Sequence, residues 1–189
     1  MSINMAGAGV ALHACGKLCR ELFTDGWLPV ANRFEKGLCQ APDRVQLNAP
    51  KSTLKDAPPL SLHARDGMNI RTVVQMNKGN LDEIMRRINN PEDDCFDVLF
   101  DQSGGHGKGF FMSEAIKTMS QVPDTHLHGY AGGIGLGNVG GIVRQLDAYY
   151  GNRPYFIDME SSLRDEDDWF DLGRVQGVLN NVLKAYPHP

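Results

Sequence analysis

The sequence predicts an α/β fold of repeated strand–helix units, of the (β/α)8 barrel type, with about six units in evidence. Three observations carry this. A short apolar run followed by a helix-like stretch recurs along the chain. Such alternation implies parallel strands, because each helix must return the chain to the same end of the sheet. Nearly every apolar run also ends in polar or glycine residues. Strand ends that converge on one site, as in a barrel, have this pattern, whereas a doubly wound sheet gathers its polar ends at a single crevice. Finally, 189 residues with 41% hydrophobic and 22% charged suit a single domain, residues 1–189, able to bury a core.

The units follow one another in a regular order. Val10–Leu12 runs into His13, Ala14, Cys15 and Gly16, with Leu18–Leu22 as its helix. Arg44–Leu47 runs into Asn48, Ala49 and Pro50. The stretch Pro50–Pro59 contains three prolines and reads as a loop leading into a short helix near Leu60–Arg65. Ile70–Val74 runs into Gln75, Met76 and Asn77, and Leu81–Ile88 has helical spacing. Val98–Phe100 runs into Asp101, Gln102, Ser103, Gly104 and Gly105, with Ser113 as the expected N-cap of a helix over Glu114–Met119. His128–Tyr130 runs into Ala131, Gly132 and Gly133, and Asn138 is placed to cap Val139–Tyr149. Tyr155–Ile157 runs into Asp158, Met159, Glu160 and Ser161, and Val175–Leu183 closes the chain as an amphipathic helix.

Several function classes are disfavoured. The formal net charge is -4 and no basic stripe is present, which argues against a nucleic-acid surface. No apolar run approaches the ~20 residues of a membrane span. Met1–Ala8 lacks a basic n-region and a clear cleavage site, so a cytoplasmic protein without a signal peptide is expected. Cys15, Cys19, Cys39 and Cys95 form no CxxC pair, which suits free thiols in a reducing compartment better than zinc. His126 and His128 would share a strand face. A metal could use such a pair, but no acidic or cysteine partner is implied, and no metal site is expected.

Four stretches carry chemistry. Asp101 leaves a buried strand and is followed by Gly104, Gly105, Gly107 and Lys108. A rim carboxylate that loses solvation can hold a proton for general acid work, and the glycines let backbone N–H groups approach a ligand. The same Asp could instead cap the next element. Gly132 and Gly133, followed by Asn138 at a helix start, form a candidate anion site, since helix N-terminal N–H groups and the helix dipole favour negative charge. A tight turn needing positive φ is the alternative. In Asp158–Arg164, alternation sends Asp158, Glu160 and Ser162 to one face and Met159 and Ser161 to the other. Two carboxylates there suit proton transfer or hydroxyl binding, or a salt bridge to Arg164 or Lys108. His13 and Cys15 share a strand face and could act as base and thiolate, or the cysteine could simply pack.

Taken in order, these motifs resemble phosphoribosylanthranilate isomerase. Leu99, Phe100 and Asp101 with Gly104 to Phe110 are similar to the family's "LLD…GGTGKTF" segment. Ala131, Gly132, Gly133 and Ile134 with Asn138 and Val139 are similar to its "GGL-x-x-x-NV". Ile157 to Ser162 resembles "VDVSSG", and Arg44 to Asn48 resembles "VVQLHG". The resemblance covers roughly residues 44–183.

It implies an Amadori rearrangement of a small phosphorylated or polyhydroxylated sugar derivative, with no metal or organic cofactor. Asp101 would be the general acid. Asp158 would contact ribose hydroxyls, and Gly132, Gly133, Ser161 and Ser162 would hold phosphate. Gln46 and Asn48 fall on matching strand-end positions and enter the candidate binding set with Gly104, Gly105, Lys108, Asn138, Glu160, Arg164 and His13.

Departures are visible. Leu12 to Gly16 looks like the family's "KICG" base strand, yet Cys15 is too close to Gln46 for three strand units between them. The Val10–Cys15 strand is therefore expected to be the third of the barrel, with the first two absent and Cys15 a relocated base or no base. Glu160 adds a carboxylate where the family has a phosphate loop, and Arg164 stands where it has an acid. An incomplete barrel would expose two sheet edges, so self-association covering them, a partner segment filling the gap, or a longer native chain is expected. The alternative function is a non-catalytic barrel that binds a small anion or a protein partner.

Overall fold

The computed structural model of the chain describes residues 11–26, 42–60, 70–93, 96–103 and 109–186. It is an α/β fold in which six strands alternate with helices. The elements are β1 (Ala11–Cys15), α1 (Gly16–Asp25), β2 (Arg44–Asn48), α2 (Lys51–Lys55), β3 (Arg71–Met76), α3 (Leu81–Ile88), β4 (Phe96–Asp101), α4 (Met112–Met119), β5 (His128–Ala131), α5 (Val139–Tyr150), β6 (Tyr155–Ile157) and α6 (Leu172–Ala185). Short 3-10 turns lie at Pro91–Asp93 and Ser161–Leu163. Within each unit neighbouring strands pair in chain order. The chain separates into two compact units, Met1–Val98 and Leu99–Pro189.

In the first unit β1 pairs with β2 in parallel, His13 opposite Gln46 and Cys15 opposite Asn48. β2 pairs with β3, Arg44 opposite Arg71 and Leu47 opposite Val74. The apolar positions form the core: Val45, Leu47, Val73, Val74 and Met76 from the strands, and Cys19, Leu22, Leu54 and Ile84 from the helices. Burial pushes the Cys19 thiol up to about 12, so it packs as a small apolar group.

A polar network lies beneath this core. Arg87, on α3, is buried and donates to the carbonyls of Leu54, Ala57 and Pro58 and to the Asp93 carboxylate, 3.0 Å away. Asp93 also accepts the backbone N–H of Leu60 at 2.7 Å. A proline-containing stretch thus has its carbonyls satisfied by one guanidinium, whose five donors in a planar fork suit this task.

One expectation needs correction here, and others lie outside the described residues. The stretch Pro50–Pro59 is not all loop. Lys51–Lys55 is helical, with Pro50 as N-cap and its carbonyl accepting from Thr53 and Leu54, because proline's fixed φ suits a helix entry. Of the helix expected near 60–65, only Leu60 lies within the described residues, and it is a bend. Cys39 and Cys95 lie outside them.

In the second unit β5 and β6 pair in parallel, Gly129 opposite Phe156. A Cβ on Gly129 would fall 2.2 Å from the Phe156 ring, so the ring fills the space glycine leaves. Ser113 does not cap α4. The helix starts two residues earlier, at Met112, with Phe111 at the N-cap and its N–H donated to Gln102 Oε1 at 2.7 Å. α6 is longer than expected, because Asp171 caps it through the N–H groups of Gly173 and Arg174. β6 ends at Ile157, so the alternation expected through Ser162 stops there and gives way to a 3-10 turn.

Truncating Arg87 to alanine removes the guanidinium that balances the Asp93 carboxylate and donates to the Leu54, Ala57 and Pro58 carbonyls. A loss of about 3–5 kcal/mol is expected, as for a broken buried ion pair. Urea denaturation of the variant beside wild type checks this. A change within about 0.5 kcal/mol, the range of ordinary surface substitutions, would contradict it.

Candidate functional site

The second unit brings the ends of β4 and β5 into direct contact. Asp101, the last residue of β4, is buried. Its Oδ1 accepts from the N–H of Ser103 at 2.9 Å and from the Ser103 hydroxyl at 2.7 Å. This is an Asx-type turn, in which the side chain bonds to backbone two residues on. Gly132, just past β5, has φ 94°. A Cβ there would lie 2.6 Å from Asp101 Oδ1 and 2.8 Å from Ser103 N. Both positive φ and lack of room therefore require glycine. Gly133 follows with φ 69°.

The turn opens onto a cavity of about 360 Å³ lined by Gly133, Ile134, Gly135, Gly137, Asn138, Ser161 and Ser162. Asn138 is the N-cap residue of α5, as expected, but its side chain makes no cap bond. It folds back across the loop instead. Oδ1 accepts from Gly135 N and Nδ2 donates to the Gly133 carbonyl, both at 2.8 Å. Ser162 Oγ donates to the Ile134 carbonyl at 2.7 Å, joining the turn after β6 to the loop after β5. Asn181 Nδ2, from α6, donates to the Leu136 carbonyl at 2.9 Å. Three side chains thus hold one loop beside an open depression at the start of a twelve-residue helix. The helix dipole there favours an anion, while the N–H groups of Gly135, Asn138, Val139 and Gly141 already donate within the loop and first turn.

The charges nearby are already engaged. Glu160 is exposed and pairs with Arg164 at 3.0 Å. Arg164 also donates to the Asp168 carbonyl at 3.0 Å and faces its carboxylate at 3.4 Å. The carboxylate expected to repel phosphate is thereby paired, and the arginine that pairs it serves two acids. Asp158 is half-buried, and its N–H donates to the Tyr130 carbonyl at 2.9 Å. Among the described residues, the cavity lining includes no lysine or arginine.

Sequence-predicted residues also gather in the first unit. The register sets His13 and Cys15 beside Gln46 and Asn48 on one face of β1 and β2. His13 and Cys15 are exposed, and Cys15 is the N-cap residue of α1 without a side-chain cap bond. Gln46 Nε2 donates to Gln75 Oε1 at 3.3 Å. Gly104, Gly105 and Lys108 lie outside the described residues.

Sequence reading missed four contributors. Gln75 ends an apolar strand, which was its signal. Ser103 follows Asp101 by two, the spacing of an Asx turn. Gln102 holds both Phe111 N and the Glu114 carboxylate, the latter at 2.6 Å, and Asn181 braces the loop from a distant helix; neither leaves a trace in local sequence. His126 and His128 are both buried, and the His128 ring bonds Tyr150.

Replacing Gly132 with alanine forces a methyl group against Asp101 and Ser103 in a left-handed backbone. Overpacking of this kind costs about 1–3 kcal/mol, with roughly 1–2 more from the positive φ. Denaturant midpoints should show a loss in that range. Gly137→Ala, where a Cβ meets nothing within 4 Å, should be tolerated. Equal behaviour of the two variants would refute the close approach.

No family model and no curated protein matches the chain. Similarity appears among solved structures. The phosphoribosylanthranilate isomerase of Thermotoga maritima aligns with 92% of this chain and 72% of its own, at TM-score 0.57 and 18% identity. The N-(5'-phosphoribosyl)anthranilate isomerase of Pyrococcus furiosus covers 92% and 87% at TM-score 0.47 and 14% identity. A citrate lyase of Burkholderia xenovorans covers 92% and 57% at TM-score 0.47 and 7% identity. At 18% identity the first likeness is one of fold: the chain has an α/β fold like that of the Thermotoga isomerase.

Proposed function

We propose that the chain is a phosphoribosylanthranilate isomerase-like enzyme that converts a small phosphorylated aldosylamine to its ketose isomer. The observation that carries this reading is the buried Asp101 carboxylate set against the Gly132 backbone, next to the loop whose open depression lies at the start of α5. A sugar phosphate has an anion for the cavity and a ring oxygen for the acid.

The chemistry is an Amadori rearrangement. Asp101 gives a proton to the ring oxygen as the C1–O bond breaks, and the amine lone pair forms the open-chain iminium. A base then removes the proton from C2, and the resulting enol of the amine becomes the C2 ketone on reprotonation at C1. Asp158 binds hydroxyls, and Gly133, Ser161 and Ser162 supply backbone donors for phosphate. Neither metal nor organic cofactor enters this scheme.

One observation favours a second reading. Oδ1 of Asp101 is taken up by Ser103, as in a structural turn. On that reading the chain binds a small anion without catalysis.

Incubating the full chain with N-(5'-phosphoribosyl)anthranilate, with product followed by NMR, separates the two. Under the first reading the ketose forms, Asp101→Asn lowers turnover by about 10²-fold or more while folding is kept, and inorganic phosphate competes with substrate. No product from wild type, together with saturable phosphate binding, would establish the second reading instead.

A further inference from the structure

Strand β5 and helix α5 are joined by a buried chain of side-chain hydrogen bonds that the isomerase reading leaves unused. His128 Nδ1 lies 2.6 Å from Tyr150 Oη, and Tyr150 Oη bonds Tyr130 Oη. His128 and Tyr130 are alternate residues of β5 and so share a face. Tyr150 ends α5. Their exposures are 4%, 0% and 5%, so water does not serve these groups. His128 Nε2 is buried with no hydrogen-bond partner.

Counting protons shows what the chain requires. With a neutral imidazole, Tyr130 donates to Tyr150 and Tyr150 donates to Nδ1, so both hydroxyl protons are used. Only the Nε2 proton makes no geometric hydrogen bond, although the Pro123 and Val122 carbonyls favour a proton on the ring. An imidazolium has N–H on both nitrogens. Nδ1 must then donate to Tyr150. Tyr150 either turns its own proton toward Tyr130 or goes on accepting from Tyr130, and in both arrangements one phenol proton is left with no acceptor within the chain. One added proton therefore adds an unsatisfied buried donor to a buried charge, and both cost free energy.

We propose that the His128–Tyr150–Tyr130 chain is a pH-sensitive lock that holds β5 to α5, and with them the loop over residues 132–138, when the imidazole is neutral, and releases them on protonation.

The other groups around the lock do not undo this. Asp124, which would favour a charged imidazole, is ion-paired with Arg153. The Arg153 guanidinium lies 5.0 Å over the Tyr150 ring and disfavours a second cation. Tyr149 meets Tyr150 edge to face. From β6, Tyr155 stacks on Tyr150 and donates to the Asp147 carboxylate at 2.6 Å, with Tyr186 beside it. His126, also buried, precedes the strand. The carbonyls of Pro123 and Val122 favour the ring proton, but burial outweighs them and holds the His128 imidazole below its ordinary range. Burial pushes Tyr130 far upward and Tyr150 to about 12, so both phenols keep their protons and the imidazole alone switches.

The sign follows. The unfolded chain takes up this proton near pH 6.5, and the native state only at lower pH. Stability from the lock is therefore complete above that pH and declines as pH falls below it.

The test uses the full-length wild-type protein, Tyr150→Phe and His128→Gln. NMR titration of the wild-type His128 ring should give a midpoint below its ordinary 6.5. Amide exchange protection of β5, α5 and the intervening loop should fall severalfold, up to about tenfold for one proton, between pH 7.5 and 5.5, with α6 less affected. Tyr150→Phe should already show the weaker protection at pH 7.5, and both variants should lose most of the pH response. A ring midpoint at or above 6.5, or an undiminished response in Tyr150→Phe, would overturn the proposal. These two measurements suffice if His128→Gln does not fold.

Discussion

At the end of β4 a carboxylate meets backbone, and no side chain fits between them. A Cβ on Gly132 would stand 2.6 Å from Asp101 Oδ1, inside any allowed contact. The arrangement of the second unit's candidate site follows from this approach. Because Gly132 is bare and left-handed, the chain turns sharply after β5. Because it turns there, Gly133 to Asn138 form a closed loop rather than a direct entry into α5. Asn138 then crosses that loop, bonding Gly133 and Gly135, and Ser162 fastens it from the far side. These are bonds that shape a cavity, and they commit the side chains that make them.

The first unit solves a different problem with similar means. A stretch rich in proline cannot supply its own N–H donors, so its carbonyls need donors from elsewhere. Arg87 provides them, and Asp93 balances its charge while accepting from Leu60. Buried ionic groups of this kind are weak evidence for net stability, but removing one partner is costly.

Electrostatics sets the character of the cavity. Arg164 is divided between Glu160 and Asp168, and no cationic side chain is part of the described lining. Attraction for an anion would come from backbone dipoles and the α5 terminus, which act over the first turn only. On the proposed reading, such a site would recognise a small anion by fit more than by charge. The buried chain from His128 to Tyr130 bears on the same loop from the other direction, through the strand that enters it and the helix that leaves it.

The sequence by itself determined the α/β class, the six strand–helix units and most strand positions, since apolar runs and glycine-bearing strand ends are local signals. It also pointed to Asp101, Gly132, Gly133, Ser161 and Ser162, whose residue types suit a strand-end anion site. Tertiary structure alone decided what these residues do. Asn138 reads as a helix cap in sequence, yet its amide is drawn to Gly133 and Gly135 because the loop brings both within reach. Glu160 reads as a repulsive charge until the turn after β6 sets Arg164 beside it. Lys51–Lys55 hid among prolines because its helix depends on the Pro50 carbonyl and on burying Leu54. Tyr130 and Tyr150 are twenty residues apart and show no local pattern. Only the packing of α5 on β5 makes them one hydrogen-bonded chain, because a bond between distant residues is fixed by where the backbone places them.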